Sequence, residues 1–415
     1  MIKANYDTVV LWYSDPSFFL PPKLSNNQIT GILTDFIKSA SSALNTPIFP
    51  IPRGEFDTSK LLNSNSIEKP HYLFVCIDST IPYMPRNLKN SALNTYICLG
   101  DSHHLPNPIS RLRKFIESEE VDGVIFTNNV RHQHWFRDIT KAKFYFEPGI
   151  FAHNFENERL LYKNRDHKVI LYGQIGNFHP RRARIAPLLI AKNKVNYIKG
   201  SNASLSEALH TSTAALNITL NADLNSRIFE IAQTGALLII DEIATNNGNG
   251  TVLIPDQNCL MYKTAEELEL ILDRKSQLSS MQKSLGLKLY TEFKERWGIN
   301  NIRRKLSQQK ISGVCTLNTD TRNDSRLSII NSLISLDVRL AFYEYFLELH
   351  RCSETINVLI NSKFKNILRE DLNDLPRLNI ADNVNSLVQN QTNVYIEDKS
   401  DESNFKINIL TKGIS

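Results

Sequence analysis

The stretch TYICLGDSHHLPNPISRLRKFIESEEVDGVIFTN, residues 95–128, holds one complete strand–helix–strand unit. TYICLGD (95–101) and DGVIFTN (122–128) are short, rich in β-branched and aromatic residues, and bounded by turn formers, as buried strands are. PISRLRKFIESEE (108–120) between them reads as a helix. Strands that are apolar almost throughout, rather than alternately, belong to a parallel sheet covered on both faces.

The same texture extends on either side. TVVLWYS (8–14), HYLFVCID (71–78) and KFYFEPG (143–149) read as further strands, and ITGILTDFIKSASSAL (29–44) as a helix. Strand and helix in series is the doubly wound α/β pattern. After the polar stretch NFENERLLYKNRDHK (154–168) the pattern restarts with the strand KVILYG (168–173), a glycine-containing basic loop GNFHPRR (176–182) and the helix RARIAPLLIAK. NYIKG, the helix SLSEALHTS, the strand ALNITL (215–220) and the helix-then-strand NSRIFEIAQTGALLIID (225–241) follow. TVLIPD (251–256), CLMY and the helix TAEELELILDRK (264–275) complete the second series.

A chain of 415 residues is too long for one core. The reading predicts a Rossmann-like acceptor-side domain over 1–153 and a Rossmann-like ligand-binding domain over 154–300. A cleft is expected between them, with ligands outside the carboxyl ends of the strands. Residues 301–415 change texture. RLSIINSLISLDVRLAFYEYFLELHR (326–351) has helical spacing, with Asp324 or Ser325 to cap it, and the rest is rich in Asn, Asp and Ser. A helical carboxyl-terminal extension with a loosely ordered polar tail is expected there.

Composition narrows the class. A hydrophobic fraction of 41% with 22% charged residues is that of a globular protein, and a net charge of +5 falls short of a nucleic-acid binder. It suits anionic ligands and peripheral contact with an acidic membrane surface. Five scattered cysteines, never as CxxC, argue for a reducing compartment and against a disulfide framework or structural zinc. No apolar run approaches membrane-spanning length and MIKANYDTVVLWYSDP lacks the signal-peptide pattern, so a cytoplasmic location is expected.

Residues 225–262 carry a family pattern: Arg227, Phe229, Glu230, Gly235, Asp241, Pro255 and Tyr262, with Glu266, Glu267 and Leu268 just beyond. This order resembles the carboxyl-terminal half of the group 1 glycosyltransferases, nearest the subgroup that includes the spore-maturation-like glycosyltransferases. GQIGNFHPRRARIAPLL (173–189), FEPGIFAHNF (146–155) and LGLKLYTEFKERWGINNIRRKL (285–306) resemble that subgroup's first strand and loop, its inter-domain connection and its final helices. The resemblance implies the two-Rossmann GT-B fold, a nucleotide-sugar donor (UDP-, GDP- or CMP-sugar) held mainly by the second domain, and no obligatory metal or other cofactor. It also implies a glycan or lipid-linked acceptor, by the family's habit in cell-surface polysaccharide (including lipopolysaccharide) biosynthesis.

Ribose hydroxyls suit a carboxylate acceptor, and phosphates suit backbone N–H groups and an arginine fork. Glu230 is the candidate for the ribose, as in the group 1 pattern. Arg227, Arg181 and Arg182 are candidates for the phosphate, with Gly173, Gly176 and Asn225 shaping the approach. The earlier glutamate of the pattern, eight positions upstream of Glu230, is replaced by Ala222 with Asp223 beside it. In the first domain, Asp101, His103 and His104 end a strand and offer a base or a carboxylate for glycosyl transfer, and Asp15 follows the first strand.

Two rival classes remain. The Asp-x-His of residues 101–103 also opens calcineurin-like metallophosphoesterases, and HQH (132–134) would add metal ligands. The later motifs of that family are missing, and His132 and His134 are expected to face solvent at a helix start. A non-catalytic nucleotide-sugar-binding module, recruiting a protein partner through its carboxyl-terminal helices, is the other.

Overall fold

The computed structural model describes residues 6, 8–12, 48–51, 54–78, 83–102, 107–136, 138–139, 141–146, 152, 155–162, 164–176, 179–199, 202–243, 253–296, 317–318, 335–352, 356–372, 375–381, 392–398 and 405–410. The chain divides into two compact units, residues 1–151 with 297–322, and residues 152–296 with 323–415.

In the first unit, β1 (Thr8–Trp12), β2 (Ile48–Pro50), β4 (Tyr72–Ile77), β6 (Asn94–Leu99), β7 (Gly123–Phe126) and β8 (Lys143–Phe146) pair in parallel. The short β14 (Leu317–Asn318) joins antiparallel, giving the order β14-β8-β7-β6-β4-β1-β2. β3 (Gly54–Asp57) and β5 (Tyr83–Arg86) form a separate pair, flanked by α1 (Thr58–Ser64) and α2 (Leu88–Ser91). Leu73, Val75, Ile97, Leu99, Val124 and Ile125 are wholly or almost wholly buried. Because neighbouring positions of each strand are buried alike, both sheet faces are covered. α3 (Pro108–Glu119) links β6 to β7 and buries Ile109, Leu112, Phe115 and Ile116, the spacing of one helical face. The helix expected over 29–44 lies outside the described residues.

The second unit repeats the scheme. β9 (Asp166–Tyr172), α4 (Pro180–Ala191), β10 (Asn196–Ile198), α5 (Asn202–Thr211), β11 (Ser212–Asn217), α6 (Ser226–Ala232), β12 (Leu237–Asp241) and β13 (Leu260–Tyr262) alternate strand and helix. All pairings are parallel, in the order β10-β9-β11-β12-β13. The first strand, β9, sits between β10 and β11, so the winding reverses beside it. In open α/β sheets that reversal leaves a crevice at the carboxyl ends of the two strands, where ligands bind. Val169, Leu171, Ala214, Leu216, Leu237 and Ile239 build the core against Leu189 and Leu268. The expected strand at 215–220 starts and stops earlier, because Ile218 to Leu220 turn away as a buried loop.

α7 (Ala265–Asp273) starts at Thr264, whose side chain accepts the N–H of Glu267, while the Glu267 carboxylate accepts the N–H of Lys263 at 2.6 Å. This reciprocal arrangement resembles a capping box. α8 (Lys275–Met281) continues through one π-helical turn, Gln282–Gly286, into α9 (Leu287–Arg296). The turn lets the backbone approach closely. Gln282 Nε2 donates to the carbonyl of Gly235 at 2.7 Å, and a Cβ on Gly286 would stand 2.6 Å from that same oxygen.

Residues 336–410 differ from the helical extension and loose tail expected of them. α10 (Leu336–Cys352) is the helical part. It is followed by β15 (Ile356–Asn361), α11 (Lys365–Asp371), β16 (Leu378–Ala381), β17 (Thr392–Asp398) and β18 (Phe405–Leu410), a four-stranded sheet in the order β16-β15-β17-β18. The strands escape a polarity reading because buried Asn357 in β15 is met by the side-chain amide of Asn379 in β16, at 2.9 Å. A bidentate pair of Arg339 with Asp371, both buried, joins α10 to α11 at 2.5 and 2.8 Å. Among the described residues no helix is long and apolar enough to cross a membrane.

The tight approach at Gly286 gives a stability prediction. Gly286→Ala forces a Cβ against the backbone of Gly235 and Ala236, with no flexible side chain there to yield. Overpacking of this kind destabilises by about 1–3 kcal/mol, and urea denaturation should show that loss with an unchanged m value.

Candidate functional site

The crevice beside β9 gathers the polar groups of the second unit. α6 starts at Asn225, whose side-chain oxygen accepts from Asn217 Nδ2 at 3.1 Å, so the end of β11 fixes the entry to the helix. Ile228, Phe229, Ile231 and Ala232 are buried. Arg227 and Glu230, three positions apart, share one helix face, and both reach the end of β9. There the Tyr172 hydroxyl donates to Glu230 Oε2 at 3.0 Å and lies 3.4 Å from the carbonyl of Arg227. Burial, followed by the negative charge of Glu230, raises the Tyr172 pKa well above its usual value, so the phenol remains a donor.

Gly173 follows with φ of +99°, and a Cβ there would lie 2.7 Å from Arg227 Nε. The guanidinium therefore rests directly on the glycine backbone, which only a residue without a side chain permits. The Gly173 carbonyl accepts from the Tyr197 hydroxyl at 2.9 Å. Gly176 has open space where a Cβ would project, and its carbonyl accepts the N–H of His179.

Arg181 and Arg182 were expected to offer their forks to phosphate. Both are only 2% exposed and are bound inward. Arg181 Nη1 pairs with Asp241 Oδ2 at 2.5 Å. Arg182 donates to the carbonyls of Gln174 at 2.9 Å and Ile218 at 2.7 Å, bracing the loops that leave β9 and β11. Burial, then the nearby Arg227 charge, lowers the Arg182 pKa to about 9, so it stays charged at neutral pH. Ala222, at the position of the pattern's earlier glutamate, is fully buried with φ of 57°.

Asp241 ends β12 and collects several donors. Besides Arg181 it accepts the N–H and hydroxyl of Thr219 at 2.8 and 3.0 Å, and Arg377 at 3.5 Å.

In the first unit a second polar group lies at the carboxyl ends of β6 and β7. Asn128 Nδ2 donates to Asp101 Oδ1 at 2.5 Å, and the Thr127 hydroxyl donates to the carbonyl of Leu99 at 2.8 Å. Ser102 Oγ lies 2.6 Å from His132 Nδ1. His132 is fully buried on a 3₁₀ turn, Val130–Phe136, not solvent-facing as expected, because that turn folds its ring back under the end of β6. His134 is partly buried on the same turn. His103, His104 and Asp15 lie outside the described residues. Among the described residues no group of three or more His, Cys, Asp or Glu stands close enough to hold a metal ion.

Sequence reading missed Tyr172, Tyr197, Asn128 and Arg377. Tyr172 ends β9 and Asn128 closely follows β7, a usable signal, whereas Tyr197 is the middle residue of β10. Arg377 had none, since its partner Leu220 is 157 residues away.

Residues 159–304, the segment bearing Arg227 and Glu230, match a family model described as glycosyl transferase-like. No curated protein matches the chain. Among solved structures, sucrose-phosphate synthase from Thermosynechococcus elongatus aligns at 10% identity with a TM-score of 0.48, covering 73% of this chain and 98% of that one. Anabaena HepE in complex with UDP aligns at 9% identity and 0.49, covering 73% and 99%. A glycosyltransferase from Rickettsia africae aligns at 11% identity and 0.46, covering 75% and 100%.

Removing one partner of a buried ion pair strands the other charge, which destabilises by about 3–5 kcal/mol. Asp241→Ala leaves Arg181 and Arg377 without their carboxylate. Its midpoint in urea should fall accordingly, and an unchanged midpoint would show that the pair is not formed in solution.

Proposed function

We propose that the chain is a glycosyltransferase that takes a nucleotide-sugar donor at the β9/β11 crevice and transfers the sugar to a glycan or lipid-linked acceptor. The observation that carries this reading is the pairing of Arg227 and Glu230 on one face of α6, against Gly173 and Tyr172, within the glycosyl transferase-like segment.

Arg227 is assigned to the donor phosphate and Glu230 to the ribose hydroxyls. A carboxylate has about four lone-pair sites, and the Tyr172 phenol uses one while fixing the group's orientation. Gly173, Gly176 and Asn225 remain in the site through backbone and entry geometry. Arg181 and Arg182 become supports that hold the crevice, since their forks are spent on Asp241 and on two carbonyls.

Asp101 is assigned to the chemistry. Glycosyl transfer requires stabilisation of a developing oxocarbenium ion, together with deprotonation of the acceptor hydroxyl in an inverting enzyme. Asn128 orients this carboxylate at the end of β6. His103, His104 and Asp15 stand as its partners or substitutes. The reading requires no metal and places the work in the synthesis of surface glycans, on the cytoplasmic side.

Nucleotide binding tests the donor site. A hydrogen bond to a charged group is worth about 1.5–3 kcal/mol. Glu230→Ala and Arg227→Ala should each weaken binding of the preferred nucleotide among UDP, GDP, ADP, CMP and TDP by about 10- to 150-fold, with folding intact. Unchanged affinity in both would remove the site.

The chemistry is tested separately. A group acting in the transition state affects turnover more than binding. Asp101→Asn should bind nucleotide normally and transfer sugar at least about 100-fold more slowly. Near-normal transfer would move the role to His103, His104 or Asp15.

A further inference from the structure

Loops usually run over the surface, because a buried loop carries backbone polar groups with nothing to bond. The connection from β11 to α6 departs from that habit, since every residue from Ile218 to Leu224 is buried. Several of its polar groups are bonded, in order along the chain. Arg182 donates to the Ile218 carbonyl at 2.7 Å, Asp241 accepts from the N–H and hydroxyl of Thr219, and Arg377 Nη2 donates to the Leu220 carbonyl at 2.8 Å. Asn221 Oδ1 faces His350 Nδ1 at 3.3 Å. Ala222 then takes the left-handed conformation that side-chain-bearing residues seldom adopt. Asp223 accepts the N–H of Asn221 at 3.3 Å.

Two of these clamps come from the carboxyl-terminal module. Arg377 lies just before β16, and His350 is near the end of α10. The Arg377 fork also donates to the His350 carbonyl, at 2.7 Å from Nη2 and 3.2 Å from Nε, and reaches Asp241 at 3.5 Å. Its backbone N–H meets His350 Nε2 at 3.3 Å, and its Nη2 lies 3.0 Å from His350 Nδ1, the ring atom that also faces Asn221. The clamped loop ends at Asn225, two residues before Arg227 and five before Glu230.

We propose that the carboxyl-terminal module is a built-in part of the donor site, with Arg377 a positioning residue that acts on Arg227 and Glu230 through the buried loop 218–224. The proposal rests on the donor-site reading above. Released from Arg377 and His350, the loop loses what holds Ala222 in its unfavourable conformation, and the start of α6 shifts. Arg227 then no longer rests on Gly173. The effect falls on donor affinity and donor KM, while kcat changes little.

The test uses the full chain and its Arg377→Lys and His350→Gln variants, with Arg339→Lys as a control that weakens the ion pair inside the module. Calorimetry gives Kd for UDP, GDP, ADP, CMP and TDP, and amide exchange reports on residues 218–230. Coupling through a packed network typically changes affinity by about 2- to 30-fold. Arg377→Lys and His350→Gln should weaken nucleotide binding by about 3- to 30-fold and speed exchange across 218–230, with Arg339→Lys within about twofold of wild type. If Arg377→Lys does not fold, His350→Gln carries the same readout. A wild-type chain that binds nucleotide while the folded clamp variants bind within about twofold of it overturns this proposal alone. A wild-type chain that binds none of the five overturns the donor-site reading, and this proposal with it.

Discussion

A stretch of irregular backbone buried between β11 and α6 has to find hydrogen-bond partners without water, and much of the second unit is arranged to supply them. Arginine suits the task, because a planar fork can serve two carbonyls at once and stays charged when burial lowers its pKa. Arg182 spans Gln174 and Ile218 in this way. Arg165 does the same elsewhere in the unit, donating to the carbonyls of Leu209, Ser212 and Thr234 while burial lowers its pKa to about 10. Asp241 balances Arg181 and Arg377 at the end of β12. These charges are structural, and they explain how a crevice made of loop ends keeps a fixed shape.

That arrangement also divides the arginines by role. Arg227 is half-buried and leans on a glycine at the mouth of the crevice, whereas its neighbours in space face inward. Adjacency to a glycine loop cannot separate the two kinds. Arg181 and Arg182 follow such a loop, yet the first turn of α4 directs both towards the sheet. Tyr172 shows the opposite failure. It reads as one more aromatic in an apolar strand, but as the last residue of β9 it places its hydroxyl against Glu230.

The α/β character of both units was legible because continuous apolar runs such as HYLFVCID and ALLIID have few alternatives to a covered parallel strand. Arg227, Glu230 and Gly173 were legible through family resemblance and loop chemistry. The module over 336–410 was not, since INVLIN and NVYIED mix asparagine and acid into their strands. Asparagine that would mark a loop in isolation is satisfied in β15 by asparagine in β16. Polar pairing across strands leaves no periodic trace. The same limit hid Ser102 and His132, which lie thirty positions apart and meet only once β6 and β7 are side by side.

The central claim is that the β9/β11 crevice holds the nucleotide of the donor. Amide hydrogen exchange on the full chain, with and without a saturating concentration of the nucleotide it binds best, tests this most directly. The account predicts slowed exchange at residues 172–176 and 225–230. Protection confined to other segments, for instance 127–133 in the first unit, with those two stretches unchanged, would contradict it.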